Sequence, residues 1–128
     1  MAINFHPRPA MVLMCDFDSG FVPPEMVKKR RVIIISPSGE NKRGICTVVP
    51  LSTTAPDQPQ RFHHKILAGK YGFLSKTSDV WVKADMIATI SASRLDRIRI
   101  HNNQFIAPSL LPEDFTATLN CVKNYLLL

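Results

Sequence analysis

The residues of this chain that could act on a phosphate ester are cations and hydroxyls grouped in short blocks. Residues 28–31 (Lys-Lys-Arg-Arg) form a dense basic block ahead of an apolar stretch. A guanidinium can bind two phosphate oxygens at once in one plane. Residues 52–54 (Ser-Thr-Thr) follow a second apolar stretch and offer hydroxyls that can donate to the same oxygens. Together these blocks indicate a surface for a polyanion, although each alone is also typical of a solvated loop.

A third group with chemical potential is the pair Lys83 and Asp85, which follows Trp81. Apolar and polar residues alternate over residues 79–86, which predicts a strand. A strand would place Lys83 and Asp85 on the same face, two residues apart. A carboxylate and a cation side by side could act as a general base and a charge stabiliser. The competing interpretation is an ordinary surface ion pair.

The overall charge points to the same kind of partner. The formal net charge is +6 and the isoelectric point is near 9.6, which favours an anionic ligand. Residues 61–65 combine cations with Phe62 and two histidines, and Arg94, Arg97 and Arg99 follow later. The P-loop, the dinucleotide-binding glycine motif, the serine nucleophile elbow and the HExxH zinc motif are all missing from the sequence.

Length and composition set the class of protein. With 128 residues, 45% of them hydrophobic and 20% charged, the chain is expected to form one globular domain over residues 1–128. It contains no apolar run long enough to cross a bilayer and no secretory signal pattern at its start, so we expect a cytoplasmic protein. The three cysteines form no CxxC pair and the four histidines no ligand cluster, so neither a metal nor a cofactor is expected.

The elements that must position these residues are mainly strands. Strands are predicted at residues 11–17, 32–35, 44–51, 64–67, 79–86 and 95–100, with a loop over 21–30 and a charged hairpin tip over 40–43. One helix is predicted to begin near Pro112, with a stripe formed by Phe115, Leu119, Val122 and Leu126. The expected architecture is a mostly antiparallel β-barrel with the terminal helix packed across it.

Four blocks of the sequence resemble the PemK/MazF toxins of type II toxin-antitoxin systems. Residues 30–37 (RRVIIISP) are similar to the family's R-P-hydrophobic-S/T-P strand, and residues 48–53 (VVPLST) to its V-V-P-x-[ST]-[ST] motif. Residues 81–90 resemble a third block with a basic residue, an aspartate and an h-x-T-I stretch, and residues 11–17 resemble the opening strand. The four blocks occur in the family's order, which makes the resemblance more specific than any one of them.

The resemblance implies an SH3-like barrel with a C-terminal helix, a homodimer, a cognate antitoxin protein and DNA binding as a complex with that antitoxin. It also implies a sequence-specific endoribonuclease. Matched by motif, the catalytic residues would be Arg30, Ser52, Lys83 and Asp85. Arg31 stands where the family usually has proline, and Lys83 replaces an arginine of one subgroup. The predicted contacts to the single-stranded mRNA substrate are Lys28, Lys29, Arg31, Thr53, Thr54, His63, His64 and Trp81.

The implied chemistry needs no metal, because RNA carries its own nucleophile beside the scissile phosphate. Attack by the 2′-hydroxyl leaves a 2′,3′-cyclic phosphate and a 5′-hydroxyl. Two other functions stay open at this point. One is a non-catalytic poison of DNA gyrase with the same fold, as in the CcdB toxins, and the other is an inactive RNA-binding module.

Overall fold

The computed structural model describes residues 3–128, and within them the fold is mainly antiparallel β-sheet with a C-terminal helix, as predicted. The strands are β1 (Val12–Asp16), β2 (Lys29–Ile34), β3 (Ile45–Ser52), β4 (His63–Ile66), β5 (Val80–Lys83), β6 (Ala88–Ser91), β7 (Leu95–Asp96), β8 (Ile98–Ile100) and β9 (Gln104–Ile106). The helices are α1 (Ser38–Asn41) and α2 (Pro112–Tyr125). None of the helices among the described residues is long and apolar enough to cross a membrane.

The main sheet runs in the order β4-β5-β3-β2-β1-β7, and β6 pairs with β3 as well. The long strand β3 organises this arrangement, because its first half pairs with β6 (Val48 opposite Ala88) and its end pairs with β5 (Leu51 opposite Val82). One strand therefore holds two different partners on the same edge, and the sheet bends around it. Strands β8 and β9 form a separate hairpin.

Side chains on the two faces of the central strands enter two separate cores. The first core includes Ile33 and Val49 and receives Phe115 and Val122 of α2, so we call that side of the sheet the helix face. The second core lies on the opposite side, where Phe21 and Met26 of the loop between β1 and β2 pack, and we call it the loop face. Its members include residues 32, 34 and 48 of the same strands. The run predicted to be buried on both faces is therefore confirmed, since β2 contributes to both cores.

The basic block 28–31 differs from its prediction as a segment ahead of a strand, because β2 already begins at Lys29. Three of its residues pair with β1, with Arg30 opposite Cys15 and Arg31 opposite Met14. The backbone hydrogen bonds of β1 extend the strand beyond its apolar part. Since successive strand residues point to opposite faces, Arg30 and Arg31 point to different sides of the sheet.

The predicted strand over 79–86 is wrong in its second half. Strand β5 ends at Lys83, and Ala84–Met86 form a turn of 3-10 helix. The chain has to turn here because β5 pairs with the end of β3 and β6 with its beginning. Lys83 and Asp85 therefore do not share the face of one strand.

Helix α2 begins at Pro112 as predicted, but its buried stripe differs from the predicted one. Phe115 and Val122 pack on the core, whereas Leu119 is 36% exposed and Leu126 is 49% exposed. The fully buried positions of the helix are Asp114, Thr118 and Cys121. The polar contacts of the buried Asp114 turn its side of α2 toward the core, in place of the purely apolar stripe.

The structure also differs from two smaller predictions. The charged tip over 40–43 contains the helical turn α1, whose Asn41 is buried and donates to the Pro7 carbonyl at 2.7 Å. The strand over 95–100 is divided between β7 and β8, which belong to different sheets. The other predicted strands agree with the structure to within one or two residues at their ends.

Candidate active site

Arg30 and Ser52 lie on the same face of the sheet. Val32 of β2 pairs with Pro50 of β3, and directly paired residues of antiparallel strands point to the same side. Arg30 is two residues before Val32 and Ser52 is two residues after Pro50, so both share the face of that pair. That face is the loop face, because Val32 belongs to its core. Two residues predicted to be catalytic are thus brought to the same side at the ends of their strands.

Lys83 and His63 extend this row across β5 and β4. Ser52 pairs with Trp81, and Lys83 is the next residue of β5 on that side. Lys83 in turn pairs with His63 of β4. Four adjacent strands therefore present Arg30, Ser52, Lys83 and His63 on the loop face. Trp81 is half-buried in the middle of the row, and the ammonium of Lys65 lies 5.9 Å from its ring centre.

Asp85 reaches the end of this row from the 3-10 turn. Its Oδ1 is buried without a hydrogen-bond partner and lies 3.5 Å from Nε2 of His63. The Nδ1 of His63 accepts a hydrogen bond from the backbone N–H of Gln60 at 3.0 Å, so the ring proton must sit on Nε2. The Nε2 proton of His63 therefore lies on the side of the Asp85 carboxylate, in contact with it but without a hydrogen bond to Oδ1. The sequence analysis named both residues but did not predict their contact, because they come from different elements of the fold.

A second carboxylate lies near Asp85. Glu25, from the loop between β1 and β2, lines a cavity of about 170 Å³ together with Asp85 and Phe21. The backbone N–H of Val22 donates to Glu25 Oε1 at 2.8 Å, which fixes the side chain against its own loop. The only sequence signal for Glu25 was an acidic residue within a proline-containing loop, and that signal is weak.

The ends of β2 and β3 enclose a second cavity of about 230 Å³, which we call the Arg31 cavity. Both arginines contribute to its lining, with Ser52 and Thr53. The side chain of Arg30 is held by a bond from its Nε to the Val27 carbonyl at 3.3 Å. Ser52 Oγ accepts from the Thr54 N–H at 3.1 Å, so the hydroxyl is fixed at the end of its strand. Arg31 shares the helix face with Met14, and its Nε is buried without a hydrogen-bond partner.

Four of the remaining residues predicted to contact RNA are exposed, and a fifth, His64, is bound to another side chain. Lys28 and Lys29 are exposed at the start of β2, and Thr53 and Thr54 are exposed after β3. His64 differs, because its Nε2 donates to Asp114 Oδ1 at 2.9 Å and its side chain is thereby turned to α2. His64 and His63 are neighbours in β4, but their side chains point to opposite faces of the sheet.

Asp114 is the centre of a buried polar cluster that sequence reasoning did not predict. Tyr71 donates its hydroxyl proton to Asp114 Oδ2 at 2.5 Å, and Lys70 Nζ lies 2.8 Å from the same oxygen. Burial opposes the charge of Asp114, but the hydrogen bonds from Lys70, Tyr71 and His64 outweigh it and hold the pKa of the carboxyl below its ordinary value. Burial and the bond to Asp114 raise the pKa of Tyr71. The cluster fastens the start of α2 to β4 and to the loop that follows it.

The thiols and possible metal ligands add no further chemistry to the described part of the chain. Cys15, Cys46 and Cys121 are buried and unbonded, and burial raises the pKa of Cys15 to about 12. Among residues 3–128, no three histidine, cysteine or acidic side chains are grouped so that they could hold a metal ion.

Comparison with known proteins agrees with this fold. Residues 8–119 match the family model of the PemK-like, MazF-like toxins of type II toxin-antitoxin systems. The chain is 30% identical to the uncharacterized Escherichia coli K12 protein YifN, over 96% of each sequence. It resembles the crystal structure of MazF from Deinococcus radiodurans with a TM-score of 0.71 at 17% identity, covering 98% of this chain and 100% of that one.

A second similar structure is an endoribonuclease in complex with its cognate antitoxin from a mycobacterial species. The TM-score is 0.66 at 18% identity, over 95% of this chain and 96% of that one. These likenesses confirm the predicted SH3-like barrel with a C-terminal helix. The family match covers most of the sequence, and the chain therefore belongs to the PemK-like, MazF-like toxins of type II toxin-antitoxin systems.

Proposed function

We propose that this toxin is an endoribonuclease that cuts single-stranded mRNA through the 2′-hydroxyl of the substrate, without a metal ion. The observation that carries the proposal is the convergence of Arg30, Ser52 and Lys83 on one face, with the His63–Asp85 pair at its end. Family membership supports it, because similar folds include proteins described as endoribonucleases.

Each group in the row has a separate task in this chemistry. Asp85 takes the proton of the 2′-hydroxyl, and His63 lies beside the carboxylate with its Nε2 3.5 Å from Oδ1. The 2′-oxygen bonds to phosphorus, and the bond from phosphorus to the 5′-oxygen breaks. Arg30 stabilises the charge on the phosphoryl oxygens. Lys83 gives a proton to the departing 5′-oxygen, so the proton lost at one oxygen is matched by the proton gained at the other.

The substrate is held around this centre by polar groups and one aromatic ring. Ser52 and Thr53 donate to phosphate or ribose oxygens from the end of β3. Lys28 and Thr54 add contacts to the RNA backbone, and Trp81 offers a surface for an unpaired base. His64 is left out of the contact set, because its side chain is bound to Asp114.

We further propose a cognate antitoxin whose acidic segment covers the loop face. Solved structures similar to this chain include toxins in complex with antitoxins, from a mycobacterial species and from Deinococcus radiodurans. The net charge of +6 and the cations at the start of β2 suit an acidic segment that orders on binding. Such a segment would occupy the same cations as RNA and so exclude it.

We also propose that the toxin acts as a homodimer. The end of α2 leaves a group of apolar side chains exposed, with Tyr125 41%, Leu126 49%, Leu127 91% and Leu128 83% accessible. Exposed apolar groups of this kind mark protein-protein contacts. A second copy of the chain is the partner that the family suggests.

Incubation of the purified protein with a mixed-sequence transcript in EDTA tests the proposed activity. Cleavage in the chelator that is lost in Arg30→Ala supports a metal-independent nuclease. Binding without cleavage would make the chain an inactive RNA-binding module. If neither occurs and cells expressing the protein accumulate gyrase-linked DNA breaks, the protein is a gyrase poison instead.

A further inference from the structure

A second cationic cavity lies beside the start of β2, and the proposed chemistry does not use it. This cavity measures about 360 Å³ and lies between the sheet and the β8–β9 hairpin. We call it the Phe105 cavity, and its lining includes Lys29, Arg97, Arg99 and Phe105. It is of the size that small ligands occupy in proteins.

Two carboxylates also line the Phe105 cavity, but both already accept hydrogen bonds from backbone groups. Asp16 Oδ1 accepts from the N–H of Asp18 at 2.8 Å, and Asp96 Oδ1 accepts from the N–H of Arg97 at 2.8 Å. A fourth cation of the lining, Arg94, donates to the backbone carbonyls of Asp16 and Ser19. The two carboxylates keep their negative charge, so the lining combines two anions with four cations and its balance is positive.

Phe105 gives the cavity an exposed aromatic surface. Its side chain is 44% exposed although it lies in a strand, and it pairs with Arg99 across the hairpin. The guanidinium of Arg97 lies 5.3 Å from the centre of the Phe105 ring. An accessible ring beside guanidinium groups is the arrangement on which unpaired nucleic-acid bases stack.

The Phe105 cavity adjoins the Arg31 cavity, because Met14 and Lys29 line both. Arg31 offers a hydrogen-bond donor in the Arg31 cavity, since its Nε is buried and has no hydrogen-bond partner. A buried N–H without a partner is unfavourable, so an oxygen ligand that reaches it gains more than it would at an exposed arginine. The hydroxyl groups of Thr53 and Ser75 line the same cavity.

We infer that the two cavities together form a nucleotide subsite beside the proposed active site, whose Arg30 and Ser52 also line the Arg31 cavity. A phosphate would be bound by Arg31 and Lys29, and the attached base would stack on Phe105. The inference rests on the proposed function, because the RNA strand would pass over the start of β2 from the loop face. Arg30 and Arg31, which point to opposite faces, then contact successive parts of one strand. The subsite takes a nucleotide that flanks the cleavage point.

Binding can be measured separately from cleavage with a 2′-O-methyl RNA 12-mer of random sequence, which lacks the nucleophile. We expect Phe105→Leu to weaken binding about tenfold and Phe105→Trp to retain it, because stacking needs a ring and not merely an apolar side chain. Arg31→Gln should weaken binding and reduce the slope of log affinity against log salt by about 0.7, the value for one lost phosphate contact on a single strand. Phe105→Leu should leave that slope unchanged.

Matched controls come from other parts of the surface. Leu111→Ala removes an apolar side chain of similar exposure, 45%, from the residue before α2, and Arg43→Gln removes an exposed guanidinium from the turn before β3. Both should bind the 12-mer as the unmodified protein does. Thermal melting of all variants within a few degrees of the unmodified protein shows that the fold is retained.

The outcomes separate this inference from the proposed nuclease activity. If the protein cuts a transcript while Phe105→Leu and Arg31→Gln bind the 12-mer normally, the subsite is refuted and the nuclease stands. If no cutting occurs and both variants still lose affinity, the nucleotide subsite stands without the nuclease. Loss of affinity for an acidic antitoxin peptide, with RNA binding unchanged, would assign the cavities to a protein partner and overturn the inference.

Discussion

Arg30 and Arg31 are consecutive residues of β2 that point to opposite faces of the sheet, Arg30 opposite Cys15 and Arg31 opposite Met14. Two adjacent arginines with the same charge therefore have different surroundings. Arg30 shares its face with Ser52, Lys83 and the His63–Asp85 pair, whereas Arg31 shares the helix face with Met14 and has a buried Nε without a hydrogen-bond partner. This separation predicts different kinetic consequences for their removal.

We expect Arg30→Ala to lower the rate of RNA cleavage by about 10²–10³, since it removes one positioned donor to the transition state. Arg31→Ala should act mainly through KM, because its ligand would be a phosphate that does not react. Single-turnover and steady-state kinetics on a defined transcript distinguish the two. Full activity in a well-folded Arg30→Ala protein would remove Arg30 from the mechanism.

The second prediction concerns Asp114, whose pKa is held below its ordinary value. The folded state then binds protons at this group less readily than the unfolded chain does. The resulting stabilisation is complete above the ordinary aspartate pKa near 3.8 and is lost as the pH falls through the lower pKa of the folded state. Asp114→Asn should lower the free energy of unfolding at neutral pH by about 1–3 kcal/mol and remove much of this acid dependence.

Denaturant unfolding between pH 3 and pH 7 measures this effect. Glu113→Gln is the matched control, because its side chain is 66% exposed and lies beside Asp114 in α2. The control should change stability little. An Asp114→Asn protein as stable as the control at pH 7, with the same response to acid, would show that the cluster does not anchor α2.

The third prediction concerns self-association. Leu126→Glu places a charge among the exposed apolar groups at the end of α2 and should convert a dimer to a monomer. Light scattering at micromolar concentration reports the mass of each species. Leu67→Glu, at a position 61% exposed outside this group, should stay dimeric. A monomeric mass for the unmodified protein would refute the homodimer.

The fourth prediction is that antitoxin and RNA exclude each other. An acidic antitoxin segment on the loop face would compete with RNA for Lys28, Arg30 and Lys83. Titration of antitoxin into a complex with labelled 2′-O-methyl RNA should release the RNA completely. Isolation of a ternary complex that binds both at full affinity would mean that inhibition acts from a distance.

Local sequence patterns were sufficient to predict most of the strands and the residue at which α2 begins. β-branched runs such as residues 32–34 favour strands wherever they lie in the chain, and Pro112 with its acidic neighbours favours a helix start. The turn at Asp85 could not be predicted in this way, because it follows from β3 pairing with two partners. That pairing depends on residues far apart in sequence.

The candidate site likewise combines residues that local sequence predicted with contacts that it could not predict. The motif blocks supplied Arg30, Ser52, Lys83 and Asp85, but the alignment of His63 with Asp85 depends on the register between β4 and β5. The contact of His64 with Asp114 joins residues on different elements and gives this histidine a partner that the sequence did not indicate. Side chains brought together by strand register and helix docking leave no periodic signal in the sequence.

The last prediction concerns the ends of the RNA products and tests the chemistry directly. If Asp85 activates the 2′-hydroxyl, cleavage must leave a 2′,3′-cyclic phosphate, or the 3′-phosphate to which it hydrolyses, and a free 5′-hydroxyl. A 2′-deoxy substitution at the cleaved nucleotide should abolish cutting but affect binding only mildly, because only the nucleophile is lost.

Asp85→Asn should reproduce that result in the protein, with RNA still held by the cations of β2. The matched control is Asp79→Asn, which removes a carboxylate that accepts from the Ala68 N–H away from the row and should leave the rate of cutting nearly unchanged. Mass spectrometry of the fragments identifies both ends. A 5′-phosphate, or efficient cutting of the 2′-deoxy substrate, would mean that an external water attacks the phosphorus, and the role of Asp85 as a base toward the 2′-hydroxyl would be wrong even in a protein that cuts RNA.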